Sequence, residues 1–282
     1  MKQENNWDLI IEGKTSLFDL RLKEVWLYRD LLRMFIIRDF ITVYKQTILG
    51  PLWFFIQPIL TTLTFTVIFG NLAKIPTDGA PQMIFYMSGI TIWGYFSTCL
   101  VDVSKVFITN SGIFGKVYFP RLIMPLTIII SNLMKFLIQF IMFLSFVVYF
   151  YLKGVVHPNW WTLLLIVVLL IMAVMSMGIG LILSSMTTKY RDLTLLIGFG
   201  IQLFMYATPI IYPLSVVPQK YLWLVRLNPL VPIFEYVRYA YLGIENGFRL
   251  FSLVYPFVFS CIILAFGIVV FNKVQKNFMD TV

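Results

Sequence analysis

Catalysis needs polar groups that converge, and few in this sequence do. The one histidine, His157, stands beside Pro158 and Asn159, with no second histidine or nearby carboxylate to complete a metal site or a triad. Gly112, Gly115 and Lys116 sketch a phosphate loop, but that motif requires a glycine five places before its second glycine and Ser or Thr after the lysine. Asn110 and Val117 hold those positions, so the match fails and nucleotide hydrolysis by that route is not expected. Cys99 and Cys261 lie singly in apolar runs without CxxC spacing and read as packing residues, not as a disulfide or zinc site. The informative polar group is Lys135, deep in an apolar run, with Asn132 and Gln139 on the same helical face. An ammonium at mid-membrane costs about 3 kcal/mol on insertion scales unless it faces protein, water or a partner. The stripe is therefore a candidate conduit lining; the competing reading is a lysine that snorkels or hydrogen-bonds within a helix interface.

The elements that would hold these residues follow from composition. Of 282 residues, 60% are apolar and 12% charged, whereas about a quarter are charged in a soluble domain. Apolar runs of ~20 residues suit helices that cross ~30 Å of hydrocarbon. Six are expected, at about 52–72, 83–101, 122–152, 160–184, 193–214 and 250–271. Ser176, Gly180 and Ser184, spaced by four, give the fourth span a small-residue face that a neighbouring helix can approach closely. The net charge of +9 does not point to nucleic acid, because Lys and Arg sit between the apolar runs without a reading motif. One side of the spans carries 15 of them and the other 6, with Lys135 completing the 22. That bias predicts both termini in the cytoplasm. The polar stretch 1–23 lacks the apolar core and cleavage site of a signal peptide, so no removal is expected.

Two regions do not fit a simple span. In 24–46, Arg29, Asp30 and Arg33 share one helical face and Leu27, Tyr28, Leu31, Leu32 and Phe35 the other. The apolar stripe then changes face, which predicts two amphipathic pieces on the membrane surface with a bend near Ile36. The region 216–247 is apolar and aromatic but broken by Pro218, Pro229 and Pro232, and it carries Arg226, Glu235, Arg238 and Glu245. Short helices that enter the outer leaflet without crossing it are expected there. The fold class is thus an all-α polytopic membrane protein: six transmembrane helices, an N-terminal amphipathic interface helix, and an outer re-entrant helical hairpin before the last span. Its divisions are a cytoplasmic segment 1–23, an interface helix 24–50, a transmembrane domain 51–272 and a cytoplasmic tail 273–282. Aromatics are 17% of the chain, and Trp53, Tyr86, Tyr95 and Tyr206 are candidates for a path on which sugar rings slide by apolar stacking.

The loops carry a resemblance. The run from Arg38, Asp39 and Phe40 through Tyr44, Lys45, Gln46, Thr47, Ile48, Leu49, Gly50, Pro51, Leu52 and Trp53, with Gln57 and Pro58 following, resembles the approach to the first span in type-2 ABC exporter permeases. The similarity is strongest to the branch that exports cell-surface polysaccharides such as O-antigen, the glycan of lipopolysaccharide, and teichoic acid. Asn110 through Arg121, ending at Pro125, is similar to that family too, as are Tyr190, Arg191 and Asp192, and Asn228, Pro229 and Leu230. The resemblance implies a homodimer of permeases in the bacterial inner membrane, each copy docked on a separate ATP-binding cassette subunit that uses ATP and Mg, with no cofactor on this chain. It implies coupling roles for Asn110, Ser111, Phe114 and Lys116, and for Pro120, Arg121, Arg191 and Asp192. The implied cargo is a polyprenyl-pyrophosphate-linked glycan, with Arg29, Arg33 and Lys45 as candidates for its head group. The alternatives are a type-2 exporter of a smaller lipid or drug and, more remotely, a membrane glycosyltransferase or acyltransferase, for which only Asp192, Glu235 and Glu245 are candidate acids.

Overall fold

A computed structural model describes residues 22–45, 50–114, 116–190, 192–245 and 248–277, and among these every regular element is helical. Two helices lead in, α1 (Leu22–Leu27) and α2 (Arg29–Lys45). The division falls at Tyr28 and not at Ile36: the stripe changes face, yet 29–45 contains no Gly or Pro to break the backbone. The 46–49 part of the resemblance, Gly115 and Arg191 lie outside the described residues.

Among the described residues five helices are long and apolar enough to cross a membrane: Trp53–Leu72, Gln82–Ser104, Ile123–Leu152, Trp160–Lys189 and Leu250–Gln275. The first comprises α3 (Trp53–Phe65) and a wide turn, Thr66–Leu72. Next come α4 (Gln82–Ser104), the short α5 (Val106–Thr109) and α6 (Ser111–Phe114), and α7 (Ile123–Leu152). A tight turn at Trp160–Leu164 leads into α8 (Leu165–Lys189). Then α9 (Leu193–Ala207) is apolar but only 15 residues long. It stops short of 214 because Thr208 precedes Pro209, which drives Thr208 to extended geometry (φ −97°, ψ 141°). The hairpin consists of α10 (Gln219–Arg226) and α11 (Val231–Val237), the latter prolonged by a wide turn Arg238–Leu242. Neither helix is long enough to span a bilayer. The chain returns through α12 (Val254–Asn277).

The centre of the bundle is α4, buried over most of its length and packed against α3, α7, α8 and α9. On α8, Gly180 meets Val103 of α4, while Gly178 faces α12, where the site of a Cβ on Gly267 lies 2.5 Å from the Gly178 carbonyl oxygen. Small residues on two faces thus wedge α8 between two neighbours. At the far end Asn159 donates to the Tyr239 carbonyl (3.1 Å), and the Tyr236 hydroxyl donates to that of Trp161 (2.8 Å). These bonds tie the hairpin to the α7–α8 turn.

Candidate functional site

At the end that carries α2, the loop 105–122 folds into a block around five buried phenylalanines. Phe107 stacks on Phe271 of α12 (4.6 Å) and meets Phe114 (5.9 Å); Phe114 meets Phe119 (5.7 Å), and Phe119 meets Phe35 of α2 (6.0 Å). Such pairs contribute about 1 kcal/mol each beyond area burial. Asn110, itself buried, accepts the amides of Ile113 and Phe114 on its carbonyl and donates its side chain to Val106. Arg121 lies over the Phe114 ring (5.6 Å) and donates to the Gln275 carbonyl (2.9 Å). Burial pushes its guanidinium pKa down. The loop, the interface helix and the last span are therefore one mechanical unit. Of the coupling candidates, Asn110, Phe114, Pro120 and Arg121 build this unit, while Lys116 and Asp192 are exposed and Ser111 is half-buried. Val117 and Tyr118, which the sequence reading passed over, project beside Lys116.

Above this block runs a polar cleft. Lys135 Nζ donates to Asn132 Oδ1 (2.8 Å), and Asn132 Nδ2 donates to Asp102 Oδ2 (3.0 Å). The amide can face only one way, because the ammonium supplies donors and the carboxylate acceptors. An intramembrane lysine is thus linked to a carboxylate through one side chain. Sequence reasoning missed Asp102, which stands three residues before Lys105 and looked like the start of a loop; its spacing from α4's buried face was the available signal. A cavity of about 530 Å³ between α2, α4 and α7 includes Arg38, Lys105, Ser131, Asn132 and Lys135 in its wall. A second, of about 240 Å³ and bordered by Gln57, Tyr95 and Gln139, shares Asn132 and Lys135 with it. The predicted Asn132, Lys135 and Gln139 stripe is brought together here, inside one copy of the chain.

The remaining candidates separate by exposure. Trp53 and Tyr206 are 46% and 48% exposed, whereas Tyr86 and Tyr95 are 0% and 3% exposed and packed within the bundle. Arg29, Arg33 and Lys45 are exposed on α2, with Arg29 over the Trp26 ring (5.7 Å), and none is in the wall of the cleft. At the opposite end Arg238, 3% exposed, lies 3.9 Å over the Phe85 ring and donates to the carbonyls of Ile210 (3.0 Å) and Tyr212 (3.3 Å).

Stacked apolar helices long enough to cross a bilayer, with a basic end, define a multi-pass membrane protein. Residues 30–242 match the family model described as ABC-2 type transporter, and the chain belongs to that family. It is 27% identical over 253 residues to an O-antigen export system permease protein of Klebsiella pneumoniae, covering 89% of this chain and 94% of that one. A Myxococcus xanthus protein of the same description is 27% identical over 218 residues, 75% of this chain and 80% of its own. The polysialic acid transport protein of Escherichia coli is 24% identical over 248 residues, 87% and 93% of the two chains.

Proposed function

We propose that this chain is the transmembrane permease subunit of an ABC exporter that moves a lipid-linked cell-surface polysaccharide, of the O-antigen or teichoic-acid kind, across the bacterial cytoplasmic membrane. The observation that carries this reading is the near full-length similarity to O-antigen export permeases, spanning 89% of this chain. On this reading two copies pair, each docks a separate ATPase that binds ATP and Mg, and the α2 end with both termini faces the cytoplasm, in line with the 15-to-6 distribution of basic residues. The exposed tip Lys116, Val117 and Tyr118, with Ser111, Arg191 and Asp192, receives the motor. Asn110, Phe114, Pro120 and Arg121 transmit its shift as a rigid body to α2 and α12. Arg29, Arg33 and Lys45 gather the cargo's pyrophosphate at the membrane surface. The conduit runs between the copies along Trp53 and Tyr206, which stand on α3 and α9, two apolar helices with few or no buried residues.

The test is to purify the chain with its candidate ATPase and measure ATP hydrolysis with lipid-linked glycans and with small lipids or drugs. Glycan stimulation is expected. Lys116→Glu with Tyr118→Ala is expected to reduce that stimulation at least tenfold while the permease stays monodisperse. If no ATPase co-purifies in mild detergent, or only a drug or small lipid stimulates, the assignment fails.

A further inference from the structure

At the end opposite α2, the hairpin and the start of α12 surround a cavity of about 540 Å³ whose wall includes Arg226, Glu235, Phe248, Arg249, Ser252 and Tyr255. Among the described residues, the side chains of Arg226, Arg249 and Glu235 form no hydrogen bond and no ion pair. Two cations and one carboxylate thus face one space without closing on each other. Glu235 is half-buried and burial pushes its pKa up, a cost that a further cation beside it would offset. The Ser252 and Tyr255 hydroxyls already donate, to the carbonyls of Arg249 and Leu227 (2.6 Å each), and the second bond closes α12 onto the end of α10. Tyr255 also opens an apolar stripe: Val258, Ile262 and Phe266 follow it on one face of α12, and all four are exposed. From Tyr255 to Phe266 the helix rises about 16 Å, the depth of one leaflet of a ~30 Å hydrocarbon core.

We propose that this cavity holds the head group of one phospholipid from the leaflet at that end, of the class that carries both a phosphate diester and a primary ammonium, as phosphatidylethanolamine does. The diester accepts from the guanidinium forks of Arg226 and Arg249, the ammonium pairs with Glu235, and an acyl chain lies along the stripe from Tyr255 to Phe266. Each charge of the ligand meets its opposite in the wall. A head group with no cation would leave Glu235 facing a phosphate, and a soluble anion would leave the stripe unused. Arg226 ends α10, Glu235 lies on α11 and Arg249 precedes α12, so one head group fastens the hairpin to the last span. The site is internal to one copy and does not depend on the identity of the cargo.

Native mass spectrometry of the full chain, delipidated in mild detergent and titrated with phosphatidylethanolamine or phosphatidylglycerol, counts the bound lipid. One phosphatidylethanolamine per chain is expected, held about tenfold more tightly than phosphatidylglycerol. Arg226→Gln with Arg249→Gln is expected to weaken retention of both lipids, about tenfold for each guanidinium removed. Glu235→Gln is expected to erase the preference between the two lipids, a change of selectivity that a folding defect does not produce. Lys153→Gln, at a cation of the same end outside the cavity, should retain the lipid normally. Unchanged retention in the double arginine variant overturns the proposal, as does an unchanged preference in Glu235→Gln. So does a parent chain that prefers phosphatidylglycerol, or displacement of the lipid by millimolar glycerophosphoethanolamine, which makes the cavity a site for a soluble ligand.

Discussion

Arg238 shows how one side chain can set the cohesion of an end of the molecule. Its guanidinium lies flat on Phe85 of α4 and donates to two carbonyls just beyond α9, so it joins α4, the chain after α9 and the hairpin. Burial pushes its pKa down to about 9, and the nearby Asp78 and Glu235 charges act in the opposite direction; it stays protonated at neutral pH. Removing it leaves two carbonyls without their donor, at about 1–3 kcal/mol each, and loses a desolvated cation–π contact worth about 2 kcal/mol. Arg238→Ala is expected to lower the detergent Tm by roughly 10 °C. Arg238→Lys should recover less than half, since an ammonium cannot stack on a ring and fork to two acceptors at once. A Tm within 2 °C of the parent for Arg238→Ala would refute this role. Asn132 offers a second case at the same scale. Asn132→Leu removes the amide that links Lys135 to Asp102 and leaves two half-buried charges without it, a loss expected at about 1–3 kcal/mol. The triple variant with Lys135→Met and Asp102→Asn should be more stable than Asn132→Leu alone, measured by the same melts.

At the scale of elements, glycine decides how closely helices approach. A Cβ on Gly267 would sit 2.5 Å from a backbone oxygen of α8, and backbone cannot yield as a side-chain tip can. Gly267→Leu is expected to separate α12 from α8 at a cost of about 1–3 kcal/mol and to raise protease sensitivity in α12. Gly198→Leu, on an open face of α9 with no atom near its Cβ position, should be neutral in the isolated chain. Equal proteolysis of the two variants would show that the seam does not bear this load. The seam illustrates what the sequence discloses. Ser176, Gly180 and Ser184 announced a close approach, and of the six apolar runs five became long helices and one the shorter α9, with the broken hairpin where expected, because hydrophobic length and proline are local properties. Lys135, Asn132 and Gln139 were legible as a face by helical period alone. The Asp102 link was not, since it depends on how α4 and α7 pack. The burial of Phe114 was not legible either, because its partners Phe107 and Phe119 converge only when the loop closes. The end of α9 was written in the sequence, at Thr208 and Pro209, beneath an apolar run that masked it.

Across the whole molecule, the chemistry of exposed side chains tells which faces meet lipid. The outward residues of α12 include Phe257, Val258, Ile262 and Phe266, and those of α7 include Leu137, Ile141 and Val148, all suited to hydrocarbon. The exposed faces of α3 and α9 are apolar too, with Leu60 and Leu63 on the first and Leu195, Leu196, Phe199 and Leu203 on the second, but each also carries an exposed amide, Gln57 or Gln202, and α9 adds two open glycines, Gly198 and Gly200. Amides do not face acyl chains without a partner, so these two faces meet water or another polypeptide. On the proposed function that polypeptide is a second copy, with the conduit between them. Cysteines placed at Gln57 and Gln202, in a chain whose Cys99 and Cys261 are replaced by alanine, are therefore expected to give a crosslinked dimer on mild oxidation in membranes. A cysteine at Ile262 on α12 should stay monomeric under the same conditions. Crosslinking through α12 in preference to α3 and α9 would place the interface on the lipid-like face and remove the basis for a conduit along Trp53 and Tyr206.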